Sequence, residues 1–143
     1  MGSSQRSFAQ LGAAVVGVAY LAIGVIGFVV TGFGSFVQDT GDGILGFDLN
    51  PFHNVVHLTV GGYLLFVSML NRAAAEGALI GGGAVYLVAA FLGFGNHLQI
   101  ISISDVSAPD NYLHVASGLA AILIGLISSL SGSERSRDTI QQY

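Results

Sequence analysis

The chain has 143 residues, of which 52% are hydrophobic and only 8% are charged, and its formal net charge is −4. This composition is typical of an integral membrane protein, and the four basic residues are too few to form a nucleic-acid-binding surface. Cysteine is absent, which excludes disulfides, thiolate metal sites and iron–sulfur clusters.

Four apolar runs are long enough to cross a bilayer, which takes about 20 residues in a helix. They lie near residues 8–33, 51–70, 78–94 and 109–130. The first run follows Arg6, but it is too long for the core of a secretory signal, so we predict that it remains as a span. The sequence therefore predicts one all-α transmembrane domain over residues 1–143, a four-helix bundle with outer loops at 34–50 and 95–108.

The basic residues all fall on one side of the predicted spans. They are Arg6, Arg72, Arg135 and Arg137. The two loops on the opposite side contain no Lys or Arg, and their charged residues are all aspartates. By the positive-inside rule, this asymmetry predicts a multi-pass protein of the cell membrane or a photosynthetic membrane, with both termini cytoplasmic.

The second half of the chain repeats the first. Residues 31–34, Thr-Gly-Phe-Gly, end the first span, and residues 92–95, Leu-Gly-Phe-Gly, end the third. The second and fourth spans both open with Asn-x-x-His followed four residues later by Gly, at 54–61 and 111–118. Because each half contains two spans, both halves cross the membrane in the same direction. The sequence predicts two tandem two-helix repeats related by a pseudo-two-fold axis along the membrane normal.

The repeated Asn-x-x-His-x-x-x-Gly element is the candidate functional site. Positions i, i+3 and i+7 share one face of a helix, so each copy forms a polar stripe. The stripes are Asn54, His57 and Gly61 in the second span, and Asn111, His114 and Gly118 in the fourth. Each stripe offers an imidazole, an amide and a glycine beside which a bulky group can lie. His53 and His97 lie at the same outer level.

Three interpretations of these residues remain open. In the first, His57 and His114 are axial ligands of a tetrapyrrole, a haem or a chlorophyll, supported by the neighbouring amides and glycines. In the second, outer histidines and aspartates bind a divalent metal. The ligands would be His53, His97, Asp48 and Asp110. In the third, which has the greatest weight, the polar side chains hydrogen-bond the outer loops at the edge of the bilayer.

Two stretches of the outer loops are apolar, at residues 43–49 and 98–103. They are too apolar for free exposure to water, so we predict that they fold back over the bundle as a cap or contact a partner. Anchoring at the membrane interface is an equally good interpretation.

The polar stripes carry a resemblance to a known family. Residues 50–61 begin Asn-Pro-Phe-His-Asn-Val-Val-His-Leu and end in glycine, and residues 110–114 read Asp-Asn-Tyr-Leu-His. Both resemble the signature of bacterial and archaeal membrane proteins grouped as domain of unknown function 4383, over about residues 10–130. The resemblance implies four spans and a repeated Asn-x-x-His element, and it implies no activity.

The distribution of polar residues favours a non-enzymatic function. The middle of each predicted span lacks the Asp, Glu or Arg that a coupled transporter normally needs, and no Ser–His arrangement typical of a hydrolase is found. We therefore predict an accessory or scaffolding subunit of a larger respiratory or photosynthetic membrane complex, with lipid and other membrane subunits as its partners. The alternative is a metal-binding membrane enzyme or sensor that uses the outer His and Asp residues.

Overall fold

The structure, a computed structural model, describes the backbone of residues 6–141 and the side chains of residues 6–132. Within these limits the chain forms four helices, with a two-stranded hairpin and a short 3-10 helix in the loops. They are α1 (Phe8–Thr31), β1 (Gly43–Ile44), β2 (Phe47–Asp48), α2 (Pro51–Ser68), α3 (Arg72–Phe94), the 3-10 helix Gln99–Ile101 and α4 (Pro109–Gln141). The predicted all-α four-helix bundle is confirmed.

Polar side chains fix the starts of the first two helices. The first N–H groups of a helix have no partner within the helix, so a side-chain acceptor there is stabilising. Ser7 and Gln10 form a reciprocal capping box at the start of α1. Asn50 accepts a hydrogen bond of 2.8 Å from the backbone N–H of His53, and Pro51 occupies the first helical position of α2.

Two helix boundaries differ from those predicted. Helix α3 begins at Arg72, before the predicted start near residue 78, because the Asn71 side chain caps it by accepting a hydrogen bond of 3.0 Å from the Ala74 N–H. Helix α4 continues to Gln141, beyond the predicted end of the span at residue 130. The additional residues, 72–77 of α3 and 131–141 of α4, are more polar than the apolar runs from which the spans were predicted.

Three helices of the described chain are long and apolar enough to cross a membrane, which indicates an integral membrane protein. They are Phe8–Thr31, Arg72–Phe94 and Pro109–Gly132. Helix α2 does not meet this criterion, although the sequence predicts a span there. Its first two turns contain the polar residues His53, Asn54 and His57, which lower its hydropathy, and all three are buried among the other helices rather than facing lipid.

The helices pack as two pairs. Helix α1 lies along α2 and α3 lies along α4, and each of these contacts is far more extensive than any contact between the pairs. In each pair, glycine packs against glycine. A Cβ on Gly17 would lie 2.9 Å from the carbonyl oxygen of Gly61, and a Cβ on Gly118 would lie 2.9 Å from that of Gly83. The two tandem two-helix repeats are therefore confirmed, and small residues permit their close packing.

The contacts also establish the register of the repeat. The stripes of α2 and α4 correspond as predicted, at an offset of 57 residues, as Asn54 does to Asn111. Helices α1 and α3 correspond at an offset of 66 residues, so that Gly27 matches Gly93. The predicted match of residues 31–34 with 92–95 is wrong, because Gly27 and Gly93 are the two glycines on which the equivalent asparagine amides pack.

The interior of the bundle has an apolar half and a polar half. The apolar half lies toward the starts of α1 and α3. Its buried residues are Ala9, Ala13, Leu64, Val67, Ala75, Ala78 and Leu79. The half nearer the outer loops instead encloses the histidines and asparagines. This division places the candidate site inside the protein, away from the lipid.

We expect Gly61→Ala to destabilise the protein and Gly62→Ala to leave its stability unchanged or slightly raised. A Cβ on Gly61 would lie 2.7 Å from the Leu21 backbone nitrogen, so α1 and α2 must separate, at about 1–3 kcal/mol. A Cβ on Gly62 meets no atom within 4 Å, and alanine is the better helix former. Thermal unfolding of both variants in one detergent, followed by circular dichroism, checks this. Equal midpoints for the two variants would contradict the glycine-on-glycine packing.

Candidate functional site

A layer of four aromatic rings, one from each helix, fills the bundle one helical turn outward from the glycine contacts. The Tyr20 ring lies 5.3 Å from that of His57 and 5.6 Å from that of Tyr86, and the Tyr86 ring lies 5.2 Å from that of His114, between centroids. All three contacts are edge-to-face, the favourable geometry for rings with this charge distribution. The Tyr20–Tyr86 contact joins the two repeats.

The two tyrosines of this ring layer are the site residues that sequence reasoning missed. Tyr20 and Tyr86 are repeat equivalents, at the same 66-residue offset that relates α1 to α3. The Asn-x-x-His element lies only in the other two helices, so it carries no information about what faces the histidines. The offset would have identified the tyrosines if the repeat had been aligned from Gly17 and Gly83 rather than from the ends of the spans.

Asn54 forms a second polar layer, one turn outward from the rings. Its side chain is completely buried, and its Nδ2 donates a hydrogen bond of 2.9 Å to the Thr31 hydroxyl. Its Oδ1 occupies the place where a Cβ on Gly27 would lie, so it rests directly against the glycine Cα. A Cα–H group is a weak hydrogen-bond donor, and it is the partner that this otherwise unpaired oxygen faces.

Asn111 repeats this arrangement in the second half. Its Oδ1 rests on Gly93, again where a Cβ would lie, and has no conventional donor within the described chain. Its Nδ2 lies 3.2 Å from the carbonyl oxygens of both Asp105 and Val106. Asn111 therefore holds the second outer loop, whereas Asn54 holds the end of α1. Asn111 thus bonds an outer loop, as the third interpretation predicts, whereas the partner of Asn54 is the last residue of a helix.

His53 and Asp110 occupy equivalent positions of the two repeats, four residues before His57 and His114. The His53 ring is 1% exposed and lies 4.4 Å from the ring of His57. Backbone carbonyl groups of both outer loops, at Asp48 and Ile101, lie beside it. His53 thus connects the ring layer to the loops. Asp110 is also buried, so the two repeats place different chemical groups at this position.

Three imidazole nitrogens in this cluster are buried without a hydrogen-bond partner in the described part of the protein. They are the Nδ1 atoms of His53, His57 and His114. A neutral imidazole has one donor and one acceptor nitrogen, and leaving either unpaired inside a protein is unfavourable by about 1–3 kcal/mol. Small polar molecules such as water satisfy such atoms in many proteins. These nitrogens are therefore the atoms of the cluster to which a small ligand would bind.

The four residues predicted as metal ligands are not brought together. Asp48 and Asp110 lie within electrostatic range of each other at the outer side, and His53 lies deeper, beside His57. His97 lies in the loop after α3, where its ring packs against Gly95. Among the described residues, no group of three or more His, Cys, Asp or Glu side chains is close enough to hold a metal ion.

The two outer loops, residues 33–50 and 95–108, close over the polar half of the bundle, and we call them the outer cap. Its residues Leu49, Ile101 and Ile103 are buried, as the predicted fold-back requires. The Asn50 Nδ2 donates a hydrogen bond of 3.0 Å to the Ile100 carbonyl, which ties the start of α2 to the second loop. Ser104 joins the loops by donating a hydrogen bond of 2.6 Å to Asp39.

Local hydrogen bonds also shape the outer cap just before α4. The hydroxyl and the backbone N–H of Ser107 both donate to the Asp105 carboxylate, each at 2.6 Å. These two bonds stabilise the ionised form and hold the pKa of Asp105 below its usual value. The segment is therefore a compact turn whose carboxylate is charged at neutral pH.

The fold and the buried ring layer together define a helical integral membrane protein built from two tandem two-helix repeats. The model of a family described as Domain of unknown function (DUF4383) matches residues 10–127. The chain belongs to this family, as the resemblance of its polar stripes predicts. No curated protein and no solved structure matches the chain.

A tetrapyrrole does not fit between His57 and His114 as the rings are arranged. The two imidazoles lie within electrostatic range of each other. However, each imidazole packs against a tyrosine of the same layer, and Tyr20 and Tyr86 pack against each other. A macrocycle coordinated by both histidines would need a wide slot between them and would have to displace these phenol rings.

We expect Gly27→Ala to be much less destabilising when Asn54 is also changed to alanine. In the natural background the new Cβ displaces the Asn54 amide and breaks its hydrogen bond to Thr31, whereas Asn54→Ala removes the obstacle. The coupling between the two changes should be about 1–3 kcal/mol. Thermal unfolding of the two single variants and the double variant measures it. Gly82→Ala is the control, because a Cβ there meets no atom within 4 Å, and additive effects at 27 and 54 would disprove the contact.

We expect the protein purified gently from its own membrane to lack a Soret absorption band, because the tyrosine rings fill the layer between the histidines. A visible absorption spectrum, with the protein quantified separately, is the measurement. A stoichiometric band that disappears in His57→Ala would show that the rings rearrange around a bound tetrapyrrole.

Proposed function

We propose that this protein is a non-enzymatic accessory or scaffolding subunit of a larger membrane complex, and that it binds its partner through the outer cap. The observation that supports this proposal is an apolar surface on an ordered loop structure, beyond the ends of the helices that contact lipid. The buried histidines and tyrosines then serve to hold that surface in place rather than to perform chemistry.

The outer cap exposes several large apolar side chains. They are Phe36, Val37, Leu45, Ile100 and Val106. Apolar surface on the helices is explained by the bilayer, but side chains on the connecting loops lie where water or a partner must cover them. Contiguous apolar surface exposed to water typically marks an interaction site. An accessory subunit needs such a surface.

The charge of the outer cap favours a protein partner over a membrane surface. The two loops contain Asp39, Asp42, Asp48 and Asp105 and no Lys or Arg. Anionic headgroups attract basic segments and repel acidic ones, so this surface is poorly suited to anchoring on lipid headgroups. A partner that presents apolar side chains bordered by basic ones would match it.

Leu45 is the most exposed of the large apolar side chains of the outer cap. It occupies the tip of the β1–β2 hairpin and is 93% exposed, with a backbone φ of 55°. The following residue, Gly46, has a φ of 87°, so the two residues form the tight turn of the hairpin. A left-handed conformation is unfavourable for leucine by roughly 1–2 kcal/mol, whereas asparagine and glycine adopt it readily. An apolar side chain is thus presented to the outside at the expense of stability, which is typical of a functional position.

The polar interior supports the non-enzymatic part of the proposal. Asn50, Asn111 and His53 all contact the backbone of the outer loops, so the buried cluster determines how the cap sits on the bundle. In the ring layer beneath, each tyrosine packs edge-to-face on a histidine. This arrangement suits a rigid support for a docking surface.

We expect Leu45→Asn to release the protein from its complex while leaving the isolated chain as stable as before or more stable. Asparagine tolerates the positive φ and removes the apolar contact. The measurement is the mass of the assembly that contains this chain, solubilised from its own membrane in mild detergent and resolved by native mass spectrometry, together with the unfolding midpoint.

Gln38→Ala, at an exposed polar position of the same loop, is the control and should leave the assembly intact. A natural protein that runs as an isolated chain, or only with copies of itself, would refute the subunit proposal. An assembly that persists in Leu45→Asn would instead exclude the hairpin tip from the interface.

The second candidate function, a metal-binding membrane enzyme or sensor, has less support, because the three unpartnered Nδ1 atoms belong to no group of described side chains that could hold a metal ion. Imidazole nitrogen is a common ligand of transition metals. Elemental analysis of the purified protein distinguishes this candidate, since a stoichiometric metal that is lost in His53→Ala would favour it over the accessory subunit.

A further inference from the structure

A cavity of about 410 Å³ lies at the end of the bundle opposite the outer cap, between the starts of α1 and α3 and the later part of α4. Its lining is basic and hydroxylic on one side and apolar on the other. The residues that matter are Arg6, Arg72, Ser128, Ser131, Phe8 and Ile127. None of these belongs to the polar stripes, the ring layer or the outer cap, so the cavity is independent of the function proposed above.

Arg72 is held in position by a hydrogen bond from its Nε, which leaves its two terminal nitrogens available to a ligand. Its Nε donates a hydrogen bond of 2.6 Å to Glu76, and the same carboxylate oxygen accepts one of 2.8 Å from the Ser128 hydroxyl. The two terminal nitrogens, Nη1 and Nη2, lie against the Cα of Gly132 and have no protein acceptor among the described residues. A guanidinium fixed in this way presents two parallel N–H donors, the arrangement that binds a phosphate or carboxylate in bidentate fashion.

Arg6 supplies a second, unpaired positive charge to the cavity. It is exposed, and no described carboxylate forms an ion pair with it. Arg6 precedes α1 and Arg72 is the first residue of α3, so the two side chains reach the cavity from the starts of two different helices. Among the residues whose side chains the structure describes, only the carboxylate of Glu76 offsets them. The described lining of the cavity therefore carries a net positive charge and is suited to an anion.

The apolar side of the cavity indicates an amphiphilic anion. Phe8 and Ile127 are about half exposed, and they begin the lipid-facing surfaces of α1 and α4. The sequence also predicts that this end of the bundle is the cytoplasmic side, where anionic lipids concentrate. A ligand here would have its charged group between the arginines and serines, while its apolar part runs down the helices into the bilayer.

We propose that this cavity binds the phosphate group of an anionic phospholipid between Arg6 and Arg72, with the acyl chains lying along Phe8 and Ile127. The shared chemistry is a phosphate anion, which a free phosphate ion would also supply. The apolar lining favours the lipid.

The test is native mass spectrometry of the full-length protein with added dioctanoyl phosphatidylglycerol or dioctanoyl phosphatidylcholine. Phosphatidylglycerol should bind, and phosphatidylcholine should bind at least fivefold more weakly. Arg6→Gln should weaken phosphatidylglycerol binding about fivefold, the effect of one basic residue beside an anionic surface. Because Arg6 is exposed, this variant is expected to fold normally.

Gln38→Glu is the matched control, since it changes the net charge by the same amount at an exposed position of the outer cap. It should leave phosphatidylglycerol binding unchanged, and an equal loss in both variants would overturn the site. Arg72→Gln combined with Glu76→Gln removes the second guanidinium without leaving its carboxylate unpaired, and it should weaken binding further. If inorganic phosphate in tenfold excess displaces phosphatidylglycerol, the ligand is free phosphate and the lipid assignment is wrong.

Discussion

The contact between an asparagine amide and a glycine Cα, made once in each repeat, is the constraint on which the outer half of the molecule depends. It removes two fully polar side chains from the lipid by fitting each into the space that the absent Cβ leaves on the neighbouring helix. Asn54 and Asn111 then have their Nδ2 groups free to hold the end of α1 and the second outer loop. Without these contacts, neither the polar start of α2 nor the cap would have a stable place.

This constraint explains why a helix of modest hydropathy belongs to a membrane bundle. Helix α2 would be a poor span by itself, because its first two turns are polar. Packed on α1 through Gly17 and Gly61, it turns those residues toward the centre and leaves apolar ones outside. The hydrophobic requirement of the bilayer therefore applies to the helix pair rather than to each helix separately.

Much of the architecture was predictable from the sequence, because hydropathy and the repeated Asn-x-x-His element are local patterns. The four helices and their pairing follow from such patterns. The ring layer could not be predicted in this way, because the partners of His57 and His114 lie on helices that lack the Asn-x-x-His element. The register of α1 against α3 was also misassigned, because Gly32 and Gly27 both precede the outer loop and only the contact with Asn54 distinguishes them.

The membrane orientation is a prediction from four arginines, of which Arg135 and Arg137 lie in the part of α4 whose side chains the structure does not describe.

The contacts within the buried cluster could be predicted from the sequence only in part. Spacing placed the histidines on one face, but whether two rings meet each other or a third group depends on the whole bundle. The tyrosines that intervene lie far in sequence from the histidines they contact, 37 residues for Tyr20 and His57 and 28 for Tyr86 and His114.

His53 and Asp110 occupy equivalent positions of the two repeats, although their side chains differ in chemistry. A symmetric dimer of two-helix subunits must place the same residue at both equivalent positions, so it would bury either two histidines or two aspartates there. Joining the repeats in one polypeptide frees each position to differ, and here one side carries a base and the other an acid. The covalent link thus allows the two halves to bury different ionisable groups at one position, which a dimer of identical subunits could not do.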